Sequence, residues 1–432
     1  MLRAPQFAFI AALLAAAAMW CYVDYILIPH QQSQSASLGI PRGNLSDLYP
    51  RWLGSRELLL HHRDPYSPEV TREIQLGYYG RELDPNRSND PKDLQGFAYP
   101  VYVAFLLAPT VTSPFQVVLT GFRWFLTILT VLTVPLWLRS LNRRVSRLTT
   151  LTWIVFTLGS FAAVQGIKLQ QLTLLVCGFV ASAMAALVSG HLIAAGVLLA
   201  LGTIKPQLTG ILIAWLALWV VSDWPARKRL AYGFVVTFLA LVLAGEALLP
   251  GWISRFRAAA AAYVQYTGGG KSVLDVAAGP LGKLLALTIV ALIAVYVWKN
   301  RRASANQAAF ARCLALVMSA TLVIIPTYAP YNQLLLLPAL MLIVGDAAVC
   351  WRRGKMSRIF IMLAALSVAW PWLSAVLLSV LLIFVSHARL QNAWALPLLS
   401  SLYIPLTVFG LTVLCVWRGN QESVGRAVAG RS

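Results

Sequence analysis

The sequence contains little charge, and carboxylates are its scarcest charged groups. Only 12% of the 432 residues are charged, with 15 acidic residues against 35 lysines and arginines. Soluble domains carry about 25% charged residues, so this composition excludes an ordinary soluble fold. A hydrophobic fraction of 59% and a mean hydropathy of +0.71 indicate that much of the surface faces lipid.

Cysteine and other metal-binding residues are also sparse. The adjacent residues His61 and His62 cannot both point at one ion from a helix, and the Gly-rich "YTGGGK" lacks the spacing of a nucleotide-binding P-loop. We therefore expect no metal and no cofactor. Five cysteines, none with CxxC spacing, lie in or beside apolar runs and are interpreted as packing residues: Cys21, Cys177, Cys313, Cys350 and Cys415.

Basic residues occur in short clusters between the apolar segments. The net charge of +20 could suggest nucleic-acid binding, but this arrangement is typical of loops held on the cytoplasmic face. The lipid bilayer is therefore the expected partner, and nucleic acid is not. The clusters are Arg139 with Arg143, Arg144 and Arg147; Arg227, Lys228 and Arg229; Lys299, Arg301 and Arg302; and Arg352, Arg353, Lys355 and Arg358.

Together these features predict an all-α polytopic membrane protein, with one membrane domain over residues 1–432 and about 12 transmembrane helices. The first apolar run is too long and lacks a clean cleavage site for a signal peptide, so it is interpreted as an uncleaved span. We expect a plasma (inner) membrane location with both termini cytoplasmic. The predicted spans are 7–28, 115–138, 149–164, 172–189, 192–204, 207–222, 230–248, 283–298, 310–326, 333–350, 358–384 and 395–417.

Between the spans, the sequence predicts a large first external loop over 29–97 that carries short juxtamembrane helices. Residues 97–109, with a proline near each end, are too short to span and are expected to form an interfacial helix. A second external loop is expected at 250–282 and a cytoplasmic tail at 418–432. Pro371 is expected to kink or split its span.

The remaining polar residues gather at the external ends of the predicted spans. Nine of the 15 acidic residues lie between Asp47 and Asp93, and polar stretches occupy 164–173, 203–207, 263–275 and 326–333. Polar groups at membrane depth are costly and usually face a cavity. We therefore expect a single external cavity lined by these five pieces.

Three cations are candidates for binding a phosphate in this cavity. Lys168 and Lys205 lie at span ends without an acidic residue within four positions, which suggests an anionic ligand such as a lipid phosphate. The alternative is that they reach to the outer headgroups. Arg123 either lines the same donor groove or pairs with a buried carboxylate, for which Asp24 and Glu246 are candidates.

A carboxylate-rich loop facing a lipid phosphate favours glycosyl transfer from a polyprenyl-phosphate sugar. The departing phosphate monoester has a second pKa near 6, so it leaves as an anion without an acid catalyst. One base then suffices to take the proton from the attacking acceptor hydroxyl. Direct attack inverts the anomeric configuration.

Five stretches in order carry a family resemblance: "SDLYPRWLGSRELLLHHRDPYSP", "FAYPVYVAFLLAP", "GIKLQQLTLLV", "TIKPQLTGIL" and "PTYAPYNQLLLLPAL". With them the chain resembles the family 87 glycosyltransferases, which are GT-C-fold enzymes typified by polyprenol-phosphate-mannose-dependent α-mannosyltransferases. The resemblance implies transfer of a mannose-like hexose to a lipid-linked or glycan acceptor on the periplasmic side.

The resemblance also implies a role for each matching residue. Asp47, followed by Tyr49, matches the catalytic base in a D-x-Y-like motif; opening the next helix as an N-cap is its structural alternative. Asp64 and Tyr66 match the later D-x-Y, although Asp64 also suits a turn. Arg51 either binds phosphate or is ordinary solvated charge.

Further matches to the family's motifs lie in the later spans. Tyr99 heads "YPV" in place of the family's "YPP", and Ile204 with Lys205 keeps its I-K pair. The family's G-Q-x-N becomes Gln170 to Thr173, which keeps Gln171. A histidine-bearing motif is replaced by "YAPYNQ". The residues expected to contact substrate are therefore Tyr49, Arg51, Asp64, Tyr66, Tyr99, Gln171, Tyr328, Tyr331, Asn332 and Gln333.

Two other classes of membrane protein are alternatives. A transporter or flippase of lipid-linked sugars would carry inverted repeats and ionisable sites near the midplane. An O-antigen-polymerase-like or ligase-like enzyme would carry its large external loop late in the chain. Here the loop follows the first span and the polar groups cluster on one side, which favours a glycosyltransferase.

Overall fold

The computed structural model describes residues 4–40, 46–84, 86–87, 90–91, 93–266, 270–326, 329–352 and 354–429. Within these ranges the regular structure is helical throughout and contains no β-strand. The predicted all-α class is therefore confirmed.

Seven helices among the described residues are long and apolar enough to cross a membrane, which makes this a multi-span membrane protein. An eighth span forms if two helices joined at an angle of 57°, Arg147–Leu158 and Phe161–Lys168, are taken together as a bent pair. The seven are Ala4–Ser37, Phe115–Ser140, Trp224–Leu248, Val273–Lys299, Pro330–Trp351, Lys355–Leu381 and His387–Val416.

The other predicted spans coincide with four apolar helices that are shorter. They are Leu172–Val188, Leu192–Ile204, Pro206–Val221 and Ala308–Ile324. Every predicted span therefore falls on a helix, but the count of 12 is not confirmed, because these four do not reach the length of a full crossing.

Two of the short helices form the core of the bundle. Leu172–Val188, called here the central helix, has 13 of its 17 residues buried, and Ala308–Ile324 has 12 of 17. The central helix contains glycine, alanines and a cysteine among its buried residues, so neighbouring helices can approach it closely. The central helix begins at Leu172, directly after the polar stretch that the sequence singled out.

The first helix is longer than predicted. It continues to Ser37, nine residues into the segment expected to be a loop, through a π-helical turn at Val23–Leu27. This wider turn comes just before Pro29, which lacks an amide hydrogen and cannot continue the regular α-helical bonding pattern.

The first loop packs two helices, Tyr49–His61 and Pro68–Tyr79, against the bundle. The predicted helix 97–109 is reduced to Val103–Leu107 and a following 3₁₀ turn, since Pro100 favours extended backbone at the residue before it. Val103 and Leu107 are fully buried, so this short helix packs inside the protein.

The later segments contain more helix than the sequence analysis specified. Residues 250–282 contain the helix Trp252–Tyr266 and the start of the next candidate span at Val273. Pro371 does not split its helix, which is continuous from Lys355 to Leu381. The last helix runs to Ala429, so most of the expected tail is helical.

Two facing glycines allow the helices Leu192–Leu201 and Trp224–Leu248 to touch backbone to backbone. A Cβ atom at Gly196 would lie 2.3 Å from the carbonyl oxygen of Leu230, and one at Gly233 would lie 2.3 Å from that of Ile193. Neither contact can be relieved by rotating a side chain, because the obstructing atoms belong to the backbone.

We expect Gly196→Ala to lower the thermal stability of the detergent-solubilised protein, because the helices must separate at a cost of about 1–3 kcal/mol. Thermal unfolding of the purified variant measures this. Gly210→Ala is the matched control, since a Cβ there meets nothing within 4 Å, and it should be neutral or stabilising. Equal melting temperatures for the two variants would contradict the close packing.

Candidate active site

Asp47 is held by the turn that precedes the central helix. Its amide N–H donates to the carbonyl of Leu169 (3.0 Å), and its carboxylate accepts a hydrogen bond from Nε2 of Gln171. The helix Tyr49–His61 has Leu48 at its N-cap and no side-chain capping bond. Capping, the structural alternative, is therefore not the role of Asp47.

Gln171 connects Asp47 to a buried lysine. The Gln171 Oε1 atom accepts a hydrogen bond from Nζ of Lys205 (3.0 Å), while its Nε2 donates to Asp47. An amide has both a donor and an acceptor, so it can bind an anion and a cation at once. A charged side chain at this position would repel one of the two.

Lys205 enters the site because the chain breaks its helix there. It lies between the 3₁₀ turn Gly202–Ile204 and the helix Pro206–Val221, and Pro206 disfavours helical backbone at the preceding residue. Its Nζ also donates to Oγ1 of Thr173 (2.7 Å), which in turn donates to Oδ1 of Asn332 (3.1 Å).

Aromatic rings and a second cation surround the lysine. Nζ of Lys205 lies 5.6 Å from the ring centroid of Tyr99 and 5.3 Å from that of Tyr331. The guanidinium of Arg51 lies 4.9 Å from the Tyr99 centroid and donates to the backbone carbonyl of Asp47 (2.8 Å). Two cations therefore share one aromatic side chain.

Lys205 is only 7% exposed, and its ammonium contacts no carboxylate among the described residues. The Nε atom of Arg51 is also buried without a hydrogen-bond partner. Buried charges are normally paired because desolvation is costly. Two incompletely satisfied cations beside one carboxylate form a site suited to an anion.

The surroundings of Asp47 favour its neutral form more than water does. Burial raises the pKa of Asp47, and the nearby Asp93 adds to this effect. Arg51, the hydrogen bond from Gln171 and Lys205 act in the opposite direction without cancelling the rise. Asp47 as a residue nevertheless remains partly exposed.

Comparison with known proteins identifies the family. The model for glycosyltransferase family 87 matches residues 97–326, which is more than half of the chain. The chain belongs to glycosyltransferase family 87. This confirms the resemblance inferred from the motifs. No curated protein and no solved structure gives a significant match. Of the network described above, Tyr99, Gln171 and Lys205 lie inside the matched region, and Asp47 lies before it.

Two other predicted cations of this glycosyltransferase have different surroundings. Lys168 forms an ion pair with Asp24 (2.5 Å) and lies 5.1 Å from the ring centroid of Trp20. Its partner Asp24 is distant in sequence, so looking for acidic residues within four positions of Lys168 could not reveal this pair. Arg123 is exposed on its helix and forms no ion pair within the described residues.

The remaining predicted residues mostly support the site from outside. Tyr66 donates its hydroxyl to the carbonyl of Tyr99 (2.6 Å). Asp64 accepts from the amide of Tyr66 (2.9 Å) and pairs with Arg255, as suits a turn residue.

Two other predicted substrate contacts, Tyr49 and Gln333, lie apart from the Asp47–Lys205 network. The ring of Tyr49 packs against Phe115, and Gln333 donates to the carbonyl of Ser401 (2.8 Å). Tyr328 lies outside the described residues.

Some contributors to this candidate site were not singled out by sequence reasoning. Thr173 replaces the asparagine of the family's G-Q-x-N motif, and its hydroxyl links Lys205 to Asn332. Gln170 replaces the glycine and adopts a φ of 48°, a conformation that favours glycine. Its side chain donates to the carbonyls of Ile167 and Lys168, which offsets the strain.

The buried ammonium of Lys205 predicts a conflict between function and stability. Lys205→Met keeps a side chain of similar length but removes a desolvated charge. We therefore expect the melting temperature to stay equal or rise while transferase activity is lost. Thr173→Val should instead lower the free energy of unfolding by about 1–3 kcal/mol, because it removes a hydrogen-bond acceptor of the Lys205 ammonium. Thermal unfolding of both variants, with activity measured in parallel, checks this. A large stability loss in Lys205→Met would show that the lysine is structural.

Proposed function

We propose that this protein is an inverting hexosyltransferase. It transfers a hexose from a polyprenyl-phosphate sugar to a hydroxyl of a lipid-linked or glycan acceptor, with Asp47 as general base and Lys205 binding the donor phosphate. One observation carries the proposal: a single amide side chain, Gln171, connects the carboxylate of Asp47 to a buried ammonium that has no acidic partner among the described residues. This arrangement suits a reaction that needs a base on one side of the sugar and an anion-binding group on the other.

In the proposed reaction the acceptor hydroxyl oxygen attacks the anomeric carbon while the bond from that carbon to the phosphate oxygen breaks. The hydroxyl proton passes to the carboxylate of Asp47. The electron pair of the broken bond leaves with the polyprenyl phosphate, whose added negative charge is stabilised by the ammonium of Lys205. Attack opposite the leaving group inverts the anomeric centre.

We assign the donor phosphate to Lys205 in preference to Lys168, because Lys168 already has Asp24 as its ion partner. Arg51 is the second cation we assign to the donor, since its Nε atom has no partner and its guanidinium lies against the same tyrosine as Lys205. The position of Lys205 at the start of an apolar helix suits a phosphate that is carried on a lipid.

The proposed orientation places this site on the external face of the plasma membrane. The helix Pro330–Trp351 begins at the site with Tyr331 and carries Asp346 near its other end. There Asp346 pairs with Arg143 (2.8 Å), a member of one of the basic clusters. Basic loops favour the cytoplasm, which supports an external location for Asp47. The mannose-like identity of the hexose rests on the family resemblance alone.

Asp47→Asn should lower transfer by about 10²–10⁴-fold, because an amide cannot accept the proton. The assay follows release of polyprenyl phosphate and labelled product from a panel of polyprenyl-phosphate hexoses, using the full chain in nanodiscs. Glu69→Gln is the control, since it makes the same chemical change at an exposed side chain on the helix Pro68–Tyr79.

Full activity in Asp47→Asn would contradict the assignment of the base, and a loss in Asp64→Asn alone would move it to Asp64. No transfer from any of these donors, together with flux of lipid-linked sugar across the membrane, would favour the transporter alternative.

The raised pKa of Asp47 predicts the acid limb of the pH profile. The base must be ionised, so kcat/KM should fall as pH decreases through the pKa of Asp47. That pKa lies above the value of about 3.9 for an ordinary aspartate. Arg51→Gln removes a cation that lowers this pKa, so the limb should move to higher pH. The donor phosphodiester does not titrate in this range. An unmoved limb in Arg51→Gln would exclude Asp47 as the titrating group.

A further inference from the structure

A cavity lies beside the Asp47–Lys205 network and takes no part in the steps described above. Its volume is about 150 Å³, and it lies between residues 93–98 of the first loop and the helix Trp252–Tyr266. The two sides are joined nearby by the ion pair between Asp64 and Arg255. The side chains that matter for its chemistry are Tyr66, Asp93, Gln95, Phe97, Ala262 and Tyr263.

The polar groups of this cavity suit sugar hydroxyls. The carboxylate of Asp93 accepts from the backbone N–H of Gln95 (3.0 Å) and from its side-chain Nε2 (2.9 Å). Two carboxylate oxygens offer about four lone-pair directions, so acceptor capacity remains for hydroxyl donors. Tyr66, Phe97 and Tyr263 add aromatic surface, which suits the apolar C–H face of a pyranose ring.

The Asp93 end of the cavity is fixed before any ligand arrives. The carbonyl of Asp93 accepts a hydrogen bond from the hydroxyl of Tyr79 (2.6 Å), and Gln95 is held at a φ of 51°. Such a conformation is uncommon for a residue other than glycine and persists where its surroundings enforce it. The two hydrogen bonds that Gln95 donates to the carboxylate of Asp93 hold it in this conformation.

The charge of the cavity selects against anions. No basic residue in the described part of the chain lines it, whereas the Asp93 carboxylate does. A phosphate or a carboxylate on the ligand would therefore meet a negative charge, and no cation among the described lining residues would contact it. An uncharged, hydroxyl-rich ring meets no such penalty.

The cavity is electrostatically coupled to the proposed base. Asp93 contributes to the raised pKa of Asp47, so a carboxylate that lines the cavity acts on the proposed base. Burial, followed by Asp93, raises the pKa of Tyr263 to about 12, and Arg51 acts against this rise. Tyr66 also links the cavity wall to Tyr99 through its hydroxyl.

We propose that this cavity is the acceptor subsite and that it holds an uncharged terminal hexose of the acceptor, with Asp93 accepting hydrogen bonds from its hydroxyls. A neighbouring hydroxyl of the same ring is thereby presented to Asp47. The inference rests on the proposed function for the reaction, but the binding of an uncharged sugar is measurable without it.

The first test fills the cavity. Ala262→Leu should raise the acceptor KM about tenfold or more and leave the donor KM unchanged, because the added side chain occupies the space of the ring. Ala261→Leu, an exposed neighbour on the same helix that does not line the cavity, is the matched control and should behave like wild type. Asp93→Asn should also raise the acceptor KM about tenfold, since a charged acceptor of hydrogen bonds is lost.

The second test measures binding without donor. Saturation-transfer NMR with the full chain in nanodiscs should detect a methyl hexoside but not the corresponding methyl uronide, which carries a carboxylate. Ala262→Leu should abolish the hexoside signal and Ala261→Leu should keep it. Equal signals for the two sugars, or a hexoside signal unaffected by Ala262→Leu, would overturn the subsite. Hexoside binding with these properties but no transfer from any polyprenyl-phosphate sugar would refute the proposed donor and leave the subsite standing.

Discussion

The site depends on one energetic constraint, the burial of the Lys205 ammonium without a carboxylate partner in the described part of the chain. Removing an ammonium from water costs several kcal/mol unless other groups replace its hydration. Here the replacement is partial and comes from one amide, one hydroxyl and two aromatic faces. These neighbours come from three segments, so satisfying Lys205 also brings together the stretch around Tyr99, the start of the central helix and the start of Pro330–Trp351.

Much of the fold was predictable because lipid imposes strong rules on sequence. Apolar runs and basic clusters located a helix at each of the twelve predicted positions. Helix length was less predictable, because a helix buried in the protein, such as Leu172–Val188, is not required to match the thickness of lipid. The short helix Val103–Leu107 illustrates the same limit: its apolar face suits a membrane interface and a protein core equally well.

The candidate site was predictable where a motif keeps its residues together. Asp47, Gln171 and Lys205 were each selected from the sequence, and the fold joins them through direct hydrogen bonds. Pairing across distant segments was not predictable, since it depends on helix packing. Lys168 finds Asp24 on the first helix, and Asp93 reaches the surroundings of Asp47 although it is 46 residues away along the chain.

The hydrogen bond from the Asp47 amide to the carbonyl of Leu169 fixes the position of the carboxylate independently of the shape of the loop around it. The carboxylate takes its position from a turn inside the bundle, and the proposed function leaves contact with the acceptor to loop residues such as Asp93. Substitutions in that loop can therefore accumulate during evolution without displacing the carboxylate. Such a division would let related chains adopt new glycan specificities on a constant chemical centre.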